Sequence, residues 1–237
     1  EWLILNLAVI FDAQQIVQEI SEEEYDDYFC SLYTRVLDSK DEAIRIRAAD
    51  SLVGFYMRKK QYDKAEKYLD YFSIQNPERK RKQAQIYAET GRIKEAYKTY
   101  EELLFSDYQR VSMELHGMYM LALQDNDRQR AHKLVDKQKE LARCFEMGKY
   151  YEISSELDLA TLEEDADTVI AVMEEMLSCV EQIGDFRNAP LYEHMDLKKM
   201  NDEFLTELKE NLLKCFRDEE SFGFLKNDAR WQQLVKQ

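Results

Sequence analysis

The chain has 237 residues, a 45% hydrophobic content and a formal net charge of -15, with only 2 Pro and 6 Gly. This length and composition build a substantial core and exclude a disordered tail. The acidic balance excludes a chain whose main task is to coat nucleic acid, because phosphate binding needs a Lys/Arg surplus.

That surplus exists only locally. Residues 40 to 100 carry 15 basic and 9 acidic side chains, and the rest carry 18 basic and 39 acidic. Cys30, Cys144, Cys179 and Cys215 lie far apart with no CxxC pair and no His at zinc spacing, so neither a metal site nor a disulfide framework is expected, and a reducing cytoplasm fits. The apolar opening Trp2 to Phe11 is too short to span a bilayer and lacks the basic start of a signal peptide. The chain opens at Glu1 rather than Met, from which we expect a segment upstream.

In chain order, residues 3 to 38 read as an N-terminal helical pair. Ser21 precedes Glu24 at capping-box spacing, and Tyr25, Tyr28, Phe29, Leu32, Tyr33, Val36 and Leu37 follow the rhythm of one buried helical stripe. Ser39 with Glu42 repeats the device and opens a helix ending near Lys60. Further helices are predicted near 62 to 75, 79 to 90, 92 to 106, 109 to 124, 127 to 146, 150 to 163 and 165 to 183. Gly148 and Gly184 stand where a left-handed residue would stop a helix. Residues 185 to 194 read as an extended loop, followed by a helix over 195 to 217 and two short ones. No segment alternates convincingly as a strand does.

Repeats sharpen this reading. Ala49, Leu52, Val53, Tyr56, Tyr62, Ala65, Leu69, Phe72 and Pro77 follow a spacing that resembles the tetratricopeptide (TPR) pattern, with Ala65 where two helices cross closely and Pro77 ending the second helix. A second copy runs through Ala84, Tyr87, Gly91, Ala96, Tyr100 and Leu103, a weaker third through Tyr119, Ala122, Asn126, Asp127, Ala131 and Val135, and a degenerate fourth through Leu157, Ala160, Asp165, Val169 and Met173. The resemblance implies an all-α, TPR-like right-handed superhelical solenoid of antiparallel helix pairs with a concave binding face. It divides the chain into an N-terminal pair or cap (1 to 38), repeats (39 to 184) and capping helices (185 to 237) within one continuous domain.

The ending Glu220, Phe222, Phe224, Leu225, Asn227, Asp228, Arg230, Trp231 and Leu234 resembles the closing motif of many bacterial TPR chains, with Ala229 where that motif has Pro. With the repeats, it makes the chain resemble the C-terminal sensor region of bacterial Xre-type helix-turn-helix transcriptional regulators. The resemblance implies a non-enzymatic module that binds a peptide or protein ligand, with a possible homodimer, no membrane role, and DNA contact only through a missing N-terminal domain. A free-standing TPR scaffold joining two proteins is the alternative.

Mapping the inward positions of the first helix in each repeat gives the candidate groove: Arg47, Asp50, Gly54 and Met57, then Arg81 and Gln85, then Met113, His116 and Met120, then Tyr151, Ser154 and Asp158. TPR domains that grip acidic chaperone tails are similar to one another in an inward Lys and Asn set; Asp50 and Gly54 stand at two of those places and argue against that ligand. Met113 and Met120 with Tyr151 suit a short peptide with apolar side chains, or equally pack against the neighbouring repeat. The run Arg79, Lys80, Arg81, Lys82 opens a helix against its dipole, which leaves two readings: a site for an acidic partner, or a solvated surface run. His116, His132 and His194 are isolated, and no GxSxG, HExxH or glycine-rich phosphate loop occurs, so no catalytic residue, metal or cofactor is expected.

Overall fold

Helix-forming composition and scarce Pro and Gly leave little else to form, and the computed structural model, which describes residues 1–18, 23–198 and 200–236, is all-α with no strand among those residues. The helices are α1 (Trp2–Gln18), α2 (Glu23–Leu37), α3 (Glu42–Arg58), α4 (Tyr62–Tyr68), α5 (Pro77–Glu89), α6 (Ile93–Gln124), α7 (Arg128–Cys144), α8 (Lys149–Ser154), α9 (Leu157–Leu162), α10 (Ala166–Cys179), α11 (Asp202–Phe216), α12 (Glu219–Phe222) and α13 (Ala229–Leu234). They divide into two compact units, Glu1–Leu103 and Leu104–Gln237, with the division inside α6.

In unit 1 the core is built where α1, α2, α3 and α4 meet. Ala8, Ala48, Ala49 and Ala65 are fully buried beside Leu5, Leu52, Val36 and Leu69, so the helix axes approach closely without a large side chain between them. In unit 2, Val169, Ile170 and Met173 of α10 pack with Leu213 and Phe216 of α11 and with Phe222, Leu225, Trp231 and Leu234 near the end of the chain. The Trp231 indole donates to the Phe216 carbonyl at 3.1 Å, which satisfies the one polar atom of a ring that is 7% exposed.

One turn recurs through both units. Lys60, Gly91, Asn126, Glu146 and Glu164 have positive φ, between 51° and 77°. In each case the following residue's N–H reaches back to close the helix: Gln61 to Tyr56 O, Arg92 to Tyr87 O, Asp127 to Ala122 O, Met147 to Ala142 O and Asp165 to Ala160 O, all within 2.8 to 3.0 Å. This is the Schellman ending, which caps the last carbonyls and turns the chain sharply. Five residues after four of these turns lie Ala65, Ala96, Ala131 and Val169, each buried to 4% exposure or less, at the spacing that the sequence assigns to the crossing positions.

Several local expectations are corrected. The N-cap of α3 is Asp41, which accepts from Ala43 N at 2.9 Å, rather than a Ser39/Glu42 box; Ser39 Oγ instead donates to Glu1 and accepts from Asp41 N. Ser21 lies outside the described residues. Pro77 begins α5 instead of ending its predecessor, because Asn76 accepts from Glu78 N and proline needs no N–H at the first helical position. The helices predicted at 92 to 106 and 109 to 124 are one 32-residue helix, since Asp107 and Tyr108 carry no breaker between them. The helix predicted at 150 to 163 is broken into α8 and α9 around Ser155 and Glu156. Gly184 has φ -95° and no left-handed role, and the residue that stops α7 is Glu146, whereas Gly148 (φ 92°, ψ 167°) starts α8 in a conformation that only glycine adopts easily. Residues 185 to 194 form two 3-10 turns, anchored by the buried rings of Phe186 and Tyr192.

Candidate functional site

The candidate site lies wholly in unit 2, where α6, α7 and α8 meet. Asn126 in the left-handed conformation and Asp127, whose carboxylate accepts from Arg130 N at 3.0 Å, fold α7 back after α6. Ala131 and Ala142, almost fully buried, give α7 its close-packing positions, and Glu146 with Gly148 then turns the chain into α8. Between these helices opens a cavity of about 390 Å³ lined by Tyr108, Ser112, Met113 and His116 of α6, Gln138 of α7, Tyr151 and Ser154 of α8, and Ser155.

Aromatic packing holds one side of it. Tyr108 lies against Phe145 (centroids 5.7 Å apart), Tyr151 meets Phe186 edge-on at 6.3 Å, and Phe105 stacks on Phe186 at 5.3 Å. Burial, with Tyr151 nearby, pushes the Tyr108 hydroxyl up to about 12 from its ordinary 10. Tyr151 is also raised by burial, against an opposing pull from Arg187. Both phenols are therefore neutral hydrogen-bond donors at physiological pH. Met113 stands at the rim, 75% exposed, as an adaptable apolar lip.

Among the described residues of this unit, Ser155 Oγ, which lines the cavity, and Tyr119 Oη with Nε and Nη1 of Arg187, which do not, are buried polar atoms without a protein partner. The Arg187 guanidinium packs over the Phe186 ring at 5.1 Å. Buried polar atoms are ordinarily bonded, so unpartnered ones mark a place where water or a ligand completes the set.

Four sequence-predicted groove residues, Met113, His116, Tyr151 and Ser154, are brought together at this cavity. Met120 and Asp158 are exposed outside its lining. In unit 1, Asp50 pairs with Lys82 at 2.8 Å, Met57 is half-buried against the core, Gly54 is half-buried, and Arg47 and Gln85 are exposed. Every member of the basic run has a carboxylate: Arg79 with Asp70 at 3.0 Å, Lys80 with Glu102 at 2.9 Å, Arg81 with Glu78, and Lys82 with Asp50. The run's charge is thus engaged within unit 1.

Sequence reasoning missed Tyr108, Ser112, Gln138 and Ser155. The first two lie on the His116 face at four-residue spacing; the break predicted between 106 and 109 hid Tyr108, whereas Ser112 lay inside a predicted helix. Ser155 depends on the break between α8 and α9, which carries no Pro or Gly.

Among the described residues no three His, Cys, Asp or Glu converge as a metal ion requires, and no helix is long and apolar enough to cross a membrane. Fold and site together define an all-α protein with an aromatic-walled, polar-edged cavity between helices. The chain matches no known protein family, no curated protein and no solved structure.

Proposed function

We propose that the chain is a TPR-like helical repeat module that binds a short peptide, or an extended segment of a protein, at the α6–α7–α8 cavity, without catalysing a reaction. The solenoid reading is supported by the recurring Schellman turn and the small buried residue five positions after it. The observation that carries the binding reading is the cavity itself. Its size accepts one large apolar side chain, and its rim offers Gln138, His116 and the serine hydroxyls to the amide groups on either side. A peptide needs both, since each residue brings a backbone donor and acceptor that must be satisfied when buried.

The resemblance at residues 220 to 234 supports a regulatory role for the module, as the sensor part of a cytoplasmic helix-turn-helix regulator whose DNA contacts lie in another domain. A peptide regulates such a protein only if it prefers one arrangement of the helices over another.

A displayed library of random heptapeptides, selected on the purified chain and then measured by calorimetry, tests the proposal. Enriched peptides carrying an aromatic or large aliphatic residue are expected, and Met113→Glu, at an exposed position, weakens their binding at least tenfold, about 1.4 kcal/mol. Affinity unchanged by Met113→Glu and by Ser154→Phe rules out this cavity. Failure to enrich any peptide removes the peptide reading altogether.

A further inference from the structure

Helix α1 is apolar on two faces, and the structure covers one of them. Leu5 and Ala8 are fully buried in the unit 1 core, and Asp12, 8% exposed, meets Arg58 at 2.5 Å. On the outer face, Leu3 is 65% exposed, Leu7 42% and Ile10 53%, flanked by Trp2 at 63% and Phe11 at 40%. A helix that is hydrophobic all round is ordinarily buried all round. The outer face is also free of charge: Asp12 is the only ionisable residue from Trp2 to Gln18, and it points inward. Asn6, the polar residue between Leu3 and Leu7, turns its amide to the Trp2 carbonyl of its own helix at 2.8 Å.

We propose that this face joins two copies of the chain in a twofold dimer, with α1 packed antiparallel against its counterpart. Three features of the face select a second copy as the occupant. The first is spacing: Leu3, Leu7 and Ile10 follow the four-three rhythm of a two-helix seam, so in an antiparallel pair Leu7 of each copy rests on Ile10 of the other. The second is charge. The chain has a net charge of -15, and the outer face of α1, which carries no ionisable side chain, lets two such chains meet there without burying a charge.

The third is area. Tyr28, 54% exposed, neighbours Phe29, which stacks on Phe11 at 6.3 Å and so extends the patch onto α2. The exposed parts of Trp2, Leu3, Leu7, Ile10, Phe11 and Tyr28 come to on the order of 700 Å², against about 800 Å² per partner in a standard stable interface. A lipid surface fits less well, because membrane-lying helices carry Lys and Arg beside the apolar face and α1 has neither. This inference is independent of the peptide cavity, which lies in the other unit.

Sedimentation equilibrium of the 237-residue chain between about 1 and 200 μM tests it, a range that brackets the affinities of typical specific interfaces. The expected result is a mass twice 28.3 kDa at the upper concentrations. Leu7→Glu with Ile10→Glu restores 28.3 kDa with unchanged far-ultraviolet circular dichroism. Where that variant loses helix, Leu7→Ala with Ile10→Ala, which keeps helix propensity, raises the dimer dissociation constant at least tenfold. A wild-type chain that stays at 28.3 kDa throughout overturns the proposal, and one that does so while co-sedimenting with phosphatidylcholine and phosphatidylserine vesicles assigns the face to lipid. A dimer that survives both double variants places the interface elsewhere and equally overturns it.

Discussion

In unit 1 the charged side chains around the core meet one another: Asp12 with Arg58, Asp50 with Lys82, Glu66 with Arg92, Glu102 with Lys80. In unit 2 ion pairs also line the surface, as at Lys139 with Glu156 and Arg230 with Asp167, but the interior differs. Ser155, Tyr119 and Arg187 there carry buried polar atoms with no protein partner, whereas unit 1 shows this among the described residues only at Tyr33, which has Ser51 beside it. Among the described residues, unit 2 thus leaves more of its buried polar atoms unpartnered than unit 1 does. A folded chain holds unpaired polar groups at a cost in stability, and of those in unit 2 only Ser155 lines the cavity.

The contrast is open to direct attack. The largest effect is expected at Trp231→Ala, which empties the end of the unit 2 core and leaves the Phe216 carbonyl unpaired: about 3 to 5 kcal/mol of stability, read by denaturant unfolding. Hydrogen exchange on the same variant should show unit 2 amides losing protection before those of unit 1. Next is Ala65→Leu, which forces a larger side chain into a fully buried crossing in unit 1 and costs about 1 to 3 kcal/mol. Replacement of the neighbouring exposed Lys64 by Leu should move the unfolding midpoint very little.

Smaller still, Gly91→Ala places a side chain at φ 77° and should cost about 1 kcal/mol. Glu146→Gly in unit 2 relieves the same conformation and should gain up to about 1 kcal/mol. A Glu146→Gly protein that is less stable than the parent would show that its carboxylate bond to the Leu191 amide, at 3.0 Å, outweighs the backbone strain.

The weakest effects are expected from pH. Asp228, the N-cap of α13, is held down to about 2, chiefly by its bonds to Arg230 and its amide. A depressed carboxylate contributes stability that is present above its unfolded value of 3.8 and lost as pH falls toward 2. Fraying of α13 over that range, absent in Asp228→Asn, is the outcome to look for by nuclear magnetic resonance. On the alkaline side, Tyr108 in unit 2 and Tyr33 in unit 1 both rise to about 12 through burial. Their contribution is complete below pH 10 and lost as pH climbs through the folded value, so both units should loosen together there.

Helix positions were legible in the sequence wherever caps and periodicity agreed, as at Asp127 and Asp165, and so was the burial of Ala65, Ala96 and Ala131. The continuity of α6 was not, because nothing at residues 107 and 108 distinguishes a helix that runs on from one that pauses. Half of the site was equally hidden: Met113, His116, Tyr151 and Ser154 follow from inward spacing, but Gln138 enters from the facing helix and Ser155 from a break without Pro or Gly. The basic run illustrates the opposite difficulty. Arg79 to Lys82 read as an unsatisfied surface only until Asp50, Asp70 and Glu102, distant in sequence, are placed beside them.

The five Schellman turns have a further consequence. A residue at φ between 51° and 57° is, in its backbone, the mirror image of an ordinary helical residue, and Lys60, Glu146 and Glu164 bear that conformation with L side chains. Their handedness is at odds with the shape they hold. For D-amino acids the same geometry is the relaxed one, so a chain assembled by chemical ligation with D-lysine at position 60 or D-glutamate at 164 would keep its charge and its turn while shedding the strain. At those few places the polypeptide would accept inverted chirality as its more comfortable form.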